Sequence, residues 1–88
     1  MEELKALRRK IDEIDSNIIE NLCLRMEIAK RIGDLKKSKG IDIKDIERER
    51  VVERHWEELA RLNEIPPNKL MEILRNIIEL SSYVQEGP

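Results

Sequence analysis

Apolar residues recur at steps of three or four positions through the first part of the chain, except for one step of six between Leu22 and Ile28. They are Leu4, Leu7, Ile11, Ile14, Ile18, Leu22, Ile28, Ile32 and Leu35. Because this helical spacing is sustained for more than four heptads, it predicts one long helix over residues 3–38. The following segment, 38–42, is rich in turn-favouring residues, and its Gly40 suits a helix C-terminal cap.

Two shorter helices are predicted after this break. A helix over 45–62 begins with Asp45 as its capping residue, and a helix over 67–85 begins at Pro67, a residue that suits the first turn. The apolar face of the second helix comprises Val52, Trp56 and Leu59. The inner stripe of the third comprises Leu70, Leu74, Ile77, Ser81 and Val84. Since no segment alternates with period two for long enough to predict a strand, we expect a single all-α domain over 1–88.

The unequal helix lengths predict an assembly of two chains. A helix over 3–38 spans about 54 Å and each shorter helix about 27 Å. Two short helices therefore cannot cover the whole apolar stripe of the first. The stripe is expected to meet the same helix of a second copy across a two-fold axis, giving a homodimer. The alternative is a monomer in which the first helix is kinked.

Composition excludes several classes of protein. The 88 residues include 17 basic and 19 acidic side chains, so the net charge of −2 argues against partners such as nucleic acid or an anionic membrane surface. No apolar run is long enough to span a bilayer, and the N-terminus lacks the apolar stretch of a signal peptide. The single cysteine, Cys23, excludes an internal disulfide and is typical of a reducing compartment, so we expect a cytoplasmic protein.

Two cationic residues of the first helix occupy positions on its apolar face. The heptad step from Ile11 through Ile18 reaches Arg25, and Lys36 lies four residues beyond Ile32. A cation on an inward face is costly unless it is paired. The spacing therefore indicates a binding function for both residues. The alternative is that they reach solvent or pair with carboxylates of the same chain.

Polar residues also lie on the inward side of the second helix. Asp45, Arg48 and Glu49 precede Val52 by seven, four and three residues. This spacing places all three near the apolar face. Two simpler explanations stay open, since Asp45 could be only a helix cap and Arg48 could pair with Glu49.

The third helix carries two polar residues in line with its core stripe. Ser81 follows Ile77 by four residues, and Gln85 follows Ser81 by four. Each residue alone is weak evidence for a site, because serine and glutamine near a chain end are usually solvated. Together with the cations they predict a pocket for a small dianion that bears a hydroxyl. No nucleophile–base pair, phosphate loop or metal-ligand spacing accompanies them, so we expect chemistry without a cofactor or metal.

Arg8 is a further candidate. It precedes Arg25 by seventeen residues, which is about 26 Å along a straight helix, so it cannot touch a small ligand held by Arg25 of its own chain. In a two-fold dimer it could reach the pocket of the partner. Spacing alone favours a solvated neighbour of Arg9 and Lys10.

Five segments of the chain resemble one known family. They follow the family's order, and aligning them needs no insertion or deletion between them. They are 7–15 (LRRKIDEID), 24–29 (LRMEIA), 32–36 (IGDLK), 45–50 (DIERER) and 77–85 (IIELSSYVQ). This pattern resembles the all-helical class of chorismate mutases. The resemblance implies an intertwined homodimer of three-helix chains, in which each active site takes one arginine from the partner. It also implies the cofactor-free conversion of chorismate to prephenate, towards phenylalanine and tyrosine. Because such mutases are sometimes fused to a dehydratase or a dehydrogenase, the chain is compatible with a piece of a longer enzyme.

The resemblance implies catalytic roles for three residues of the chain and a binding role for one residue of the partner. Arg25, together with Arg8 from the partner chain, would hold the two carboxylates of the substrate. Lys36 would bridge a carboxylate and the ether oxygen of the enolpyruvyl group. Gln85 would donate a hydrogen bond to that ether oxygen.

The same resemblance implies substrate-binding roles for four more residues. Glu49 and the backbone at Asp45 would bind the ring hydroxyl, and Arg48 and Ser81 would complete the carboxylate site. Two other functions stay open. One is an isochorismate–pyruvate lyase of the same fold, against which the segment 45–50 argues. The other is a non-catalytic helical dimerisation module, which leaves the inward polar residues unexplained.

Overall fold

The computed structural model describes residues 1–87, which form three α-helices joined by two short connections. Helix α1 spans Glu2–Ser38, α2 spans Ile46–Leu62 and α3 spans Pro67–Glu86. Each predicted helix is confirmed, with bounds that differ by no more than one residue. Because no strand occurs within residues 1–87, the prediction of an all-α fold is also confirmed.

Helix α1 ends in a glycine-dependent turn. Gly40 adopts a positive φ of 66°, a conformation that costs a residue with a Cβ more than it costs glycine. The amide of Ile41 donates to the Lys36 carbonyl over 2.8 Å, and the amide of Gly40 donates to the Lys37 carbonyl over 3.3 Å. These two bonds form a Schellman motif, which confirms the predicted capping role of Gly40.

The first turns of α2 and α3 also follow from the sequence. The Asp45 carboxylate accepts a hydrogen bond from the Arg48 amide over 3.0 Å, so Asp45 is the N-cap of α2. Pro67 occupies the first turn of α3, where a residue without an N–H loses no helical hydrogen bond. Both helix starts are therefore fixed by single residues.

Helices α1 and α2 both pack on α3, and within residues 1–87 they do not pack on each other. The most buried residues are Ala29 and Gly33 of α1, Ala60 of α2 and Leu74 of α3. Most of these are small, so the helix backbones approach closely. Leu59, predicted on the inner face of α2, remains 38% exposed, because the neighbouring Ala60 faces α3 instead.

The N-terminal half of α1 extends beyond the packed helices. The chain is 58 Å long in its longest dimension, and every residue from 7 to 21 is exposed. The apolar residues of this segment are Leu7, Ile11, Ile14, Ile18 and Ile19, each more than half exposed. A single chain thus leaves the first half of its long apolar stripe uncovered. Over residues 1–87, none of the helices combines the length and apolar character needed to cross a membrane.

Candidate active site

A cavity of about 260 Å³ lies where α1, α3 and the start of α2 come together. Its wall contains seven of the eight residues predicted from the sequence: Arg25, Lys36, Asp45, Arg48, Glu49, Ser81 and Gln85. Apolar side chains complete the wall, among them Ile28, Ile32, Val52 and Ile78. The cavity is therefore polar at several fixed points and apolar between them, as expected for a small-molecule site.

Lys36 joins three parts of the chain at one edge of this cavity. Its ammonium group donates to the backbone carbonyl of Ile43 over 2.7 Å and to the Gln85 carboxamide oxygen over 3.3 Å. The first bond fixes the α1–α2 connection against α1, and the second meets the last turn of α3. Because the oxygen of Gln85 faces Lys36, its carboxamide nitrogen is left to donate to a ligand.

Arg25 is held at the side of the cavity by α3. Its guanidinium donates to the Ser81 hydroxyl, which in turn donates to the Ile77 carbonyl over 3.0 Å. Burial lowers the pKa of Arg25 from its ordinary value, and the positive charge of Arg48 lowers it further. Both effects disfavour the charged guanidinium, so an anion bound here would relieve them.

The charges of the cavity do not cancel. Four cationic side chains line it, Arg25, Lys36, Lys44 and Arg48, against the two carboxylates of Asp45 and Glu49. Among residues 1–87 the ion pairs are Lys5–Glu2 and Arg61–Glu58, which both lie outside the cavity. The predicted alternatives in which these cations pair with carboxylates of the same chain are therefore not observed. The excess of positive charge suits a dianion.

The two carboxylates at the cavity have different environments. Asp45 already accepts the Arg48 amide as the helix cap, so its side chain is engaged in the fold. Glu49 is half-buried one turn into α2 and lies between this cavity and a neighbouring groove. Its carboxylate can therefore accept a hydrogen bond from a ligand hydroxyl.

Arg8 is the one predicted site residue that the chain does not bring to the cavity. It is exposed in the N-terminal half of α1, about 26 Å along the helix from Arg25. This separation agrees with the sequence prediction that Arg8 cannot serve the site of its own chain.

A second, larger groove of about 580 Å³ runs between α2 and α3. It is lined by five glutamates, Glu49, Glu53, Glu57, Glu79 and Glu86, and by two cations, Lys44 and Arg75. We call it the acidic groove. Its charge is unfavourable for a dianion, so the smaller cavity is the better candidate in spite of its size. Within the described chain, no group of three or more potential metal-ligating side chains comes together.

Sequence reasoning missed three groups at the cavity. The backbone carbonyl of Ile43 binds Lys36, and the side chains of Lys44 and Ser82 line the wall. Ile43 and Lys44 lie in a connection, where helical periodicity gives no signal. Ser82 follows Ser81 directly, and whether it also faces the cavity depends on how α3 is rotated about its own axis. The sequence does not give that rotation.

Comparisons with known proteins agree with this geometry. The family model of chorismate mutase type II matches residues 7–86. The bifunctional chorismate mutase/prephenate dehydratase of Aquifex aeolicus is 42% identical over 84 residues, which cover 89% of this chain and 22% of that protein. The T-protein of Enterobacter agglomerans is 31% identical over 85 residues, covering 97% of this chain and 22% of that protein. The chain thus spans about a fifth of the length of these two relatives.

A shorter relative matches along most of its length. The chorismate mutase of Methanocaldococcus jannaschii is 31% identical over 86 residues, which cover 98% of this chain and 87% of that protein. The family match includes α1 from residue 7 onwards, the whole of α2 and α3, and every residue that lines the cavity. With its three-helix fold and a cavity whose cations form no ion pair within residues 1–87, the chain belongs to the chorismate mutase type II family.

Proposed function

We propose that this chain catalyses the rearrangement of chorismate to prephenate in the cavity between its helices. The observation that carries the proposal is the convergence of Arg25, Lys36 and Arg48 on one small cavity without an ion-pair partner among residues 1–87. Chorismate is a small dicarboxylate with a ring hydroxyl, which is the chemistry that this wall would recognise. The names of the relatives support the same activity.

The first contribution to catalysis is restriction of the substrate. In the rearrangement one C–O bond breaks and one C–C bond forms within a single molecule, so the enolpyruvyl arm must lie over the ring. Arg25 would bind one carboxylate with its planar fork, and Arg48 and Ser81 would complete that carboxylate site. Holding both ends of the substrate limits it to reactive geometries.

The second contribution is electrostatic. Negative charge grows on the ether oxygen as the C–O bond breaks. Lys36, which would also reach a carboxylate, and the carboxamide nitrogen of Gln85 would donate to that oxygen. Their position side by side at the cavity supports this role. Donors that are fixed in advance bind the transition state better than the ground state.

The ring hydroxyl would bind at the start of α2. Glu49 would accept a hydrogen bond from the hydroxyl, and the backbone at Asp45 would provide a second contact. These contacts orient the ring and take no part in bond making. All the groups that this chemistry needs are protein side chains or backbone, so no cofactor enters the proposal.

The energies of these two contributions are large enough to explain an enzymatic rate acceleration. A rate acceleration of 10⁶-fold corresponds to about 8 kcal/mol. One donor preset at a developing charge contributes about 3–4 kcal/mol in a water-poor site. Two donors and a conformational restraint together therefore reach the required size.

We further infer that the working unit is a homodimer in which Arg8 of one chain completes the site of the other. Two observations support this inference: residues 7–21 of α1 are exposed with several large apolar side chains among them, and Arg8 lies in the same segment. Burying that apolar surface against a second α1 would stabilise both chains. We also infer a cytoplasmic location, supported by the single free Cys23.

The experiment that tests the proposal is incubation of the purified chain with chorismate, followed by identification of the products by NMR. Prephenate formed at a rate that depends on protein concentration is the expected result. No prephenate from the folded protein would contradict the proposal. Salicylate and pyruvate from isochorismate, with no prephenate from chorismate, would instead identify a lyase.

A further inference from the structure

Gln85 occupies an unfavourable place for a group that must be held still. It is the last residue but one of α3, which ends at Glu86. The final carbonyl groups of a helix lack partners within the helix, so the last turn tends to fray. A carboxamide that donates to one oxygen atom needs a fixed backbone beneath it. Some feature outside α3 must therefore restrain this turn.

Gly33 of α1 provides the first restraint by its lack of a side chain. A Cβ built on Gly33 would lie 2.7 Å from the Gln85 Cα and 2.7 Å from the Gln85 carbonyl oxygen. Those distances are too short for any real Cβ, and the atoms belong to backbone that cannot rotate away. Gly33 is buried in the interior of α1, where glycine is disfavoured relative to alanine. Its benefit is therefore the close approach of α1 to the backbone at Gln85.

Lys37 provides the second restraint, one turn further along α1. Its ammonium group donates to the backbone carbonyl of Glu86 over 2.8 Å. This carbonyl is one of the unpartnered acceptors at the end of α3, and a cation there is also favoured by the helix dipole. Lys37 does not line the cavity. Its bond joins the C-terminus of α3 to α1 directly beside Gln85.

We propose that Gly33 and Lys37 are positioning residues that hold the last turn of α3 on α1 and thereby place the carboxamide of Gln85. Gly33 sets the distance between the two helices, and Lys37 prevents the end of α3 from lifting away. Lys36, between them in sequence, contacts the carboxamide itself. The proposal rests on the proposed function, in which Gln85 donates to the ether oxygen.

The variant Lys37→Met tests this proposal, because Lys37 is exposed and its loss should leave the fold intact. A small displacement of a catalytic group can lower the rate about 100-fold, so the partial loosening in Lys37→Met is expected to lower kcat about tenfold. KM should change little, and Lys37→Arg should restore much of the rate. Lys39→Met is the matched control, since Lys39 is also exposed and makes no described side-chain hydrogen bond in residues 1–87.

Testing Lys37→Met in a chain that lacks Gln85 distinguishes a role in positioning Gln85 from a general effect on the stability of the fold. If Lys37 acts through Gln85, Lys37→Met should lower kcat in the wild type and have little further effect in a Gln85→Ala chain. Equal losses in both backgrounds, or no loss in the wild type, would overturn the role of Lys37. Gly33→Ala should show the same dependence on Gln85, and a normal kcat for Gly33→Ala would overturn the role of Gly33.

A measurement without turnover keeps this inference distinct from the proposed function. Hydrogen exchange of the backbone amides in the last turn of α3 should become about tenfold faster in Lys37→Met than in Lys39→Met. Unchanged exchange would overturn the restraint even in an active enzyme. Faster exchange in a chain that does not convert chorismate would support the restraint while the proposed function fails.

Discussion

The ammonium group of Lys36 and the carboxamide oxygen of Gln85 meet at the cavity, 3.3 Å apart. One residue comes from the last turn of α1 and the other from the last turn of α3. The contact determines which way the carboxamide points, because its oxygen accepts from Lys36 and its nitrogen is left for the ligand. Two hydrogen-bond donors are thereby brought to one edge of the cavity.

Removal of Lys36 should slow the reaction without unfolding the protein. We expect Lys36→Ala to lower kcat by at least about 100-fold, because it removes a donor whose interaction strengthens in the transition state. The measurement is the initial rate of prephenate formation, with circular dichroism as the check on folding. Lys39→Ala, at an exposed position nearby, is the control. A near-normal rate for Lys36→Ala would remove Lys36 from the chemistry.

Replacing Gln85 by glutamate should make the rate depend on pH. Only the protonated carboxyl can donate to the ether oxygen, and the neighbouring Lys36 should lower the pKa of the new carboxyl by favouring its ionised form. The active form therefore gains population only as the pH falls through that lowered pKa. We expect kcat of Gln85→Glu to rise about tenfold or more between about pH 7.5 and about pH 5. A profile as flat as that of Gln85→Ala would exclude Gln85 as the donor.

Arg25 should be needed to bind the ligand, and it should destabilise the folded protein when no ligand is bound. Its pKa is lowered in the folded chain by burial and by Arg48, so the charged form is less stable there than in the unfolded chain. This unfavourable contribution is complete at every pH below the lowered pKa, and it declines to nothing only as the pH rises from the lowered pKa to the ordinary one. At neutral pH, Arg25→Met should thus keep or raise the free energy of unfolding.

Urea denaturation with and without prephenate measures both effects of Arg25→Met. Prephenate should stabilise the wild type and an Arg31→Met control, in which an exposed arginine of α1 is replaced, and should not stabilise Arg25→Met. Stabilisation of Arg25→Met by prephenate equal to that of the wild type would show that Arg25 does not hold the ligand.

Sharing of sites between chains can be tested by mixing two inactive variants. An Arg8→Ala chain retains Arg25, and an Arg25→Ala chain retains Arg8, so a mixed dimer has one complete site out of two. Equal amounts that exchange at random should recover about a quarter of the wild-type rate. Native mass spectrometry would verify exchange if one of the two variants, which have equal masses, is labelled with ¹⁵N. No recovery in verified mixed dimers would show that Arg8 does not act across the interface.

The turn after α2, which lies outside the site, should allow a substitution that stabilises the fold. Glu64, just after α2, has a positive φ of 54°, and its neighbour Ile65 donates to the Ala60 carbonyl over 2.9 Å in the geometry of a Schellman motif. Glycine adopts this conformation with less strain than glutamate. We expect Glu64→Gly to raise the free energy of unfolding by about 0.5–1 kcal/mol without changing kcat. Urea denaturation measures it, with Asn63→Gly as a comparison at a negative φ. A loss of stability in Glu64→Gly would contradict this explanation of the turn.

The helices were predictable because their signals are local. The spacing of apolar residues, the cap at Asp45, the proline at position 67 and the glycine at position 40 each act within one or two turns of the chain. The exception, Leu59, depends on how α2 is rotated against α3, and that rotation is set by Ala60 at the contact. Local periodicity cannot resolve such a rotation by one residue.

Part of the candidate site was predictable for the same reason. Arg25 and Lys36 stand out because a cation on an apolar face violates the pattern around it. Gly33 gave no such signal, since its role depends on the distance between two helices that are far apart in sequence. The carbonyl of Ile43 gave none either, because every residue has one and only the fold selects which is used.

The most direct test of the central claim is to map by NMR where prephenate binds to the isotope-labelled protein. We expect the largest shifts at the cavity, in the side chains of Arg25, Lys36 and Gln85 and in the amides at the start of α2. Shifts concentrated instead along the acidic groove, at Glu53, Glu57 and Glu79, would place the ligand outside the cavity. That result would contradict the proposed active site.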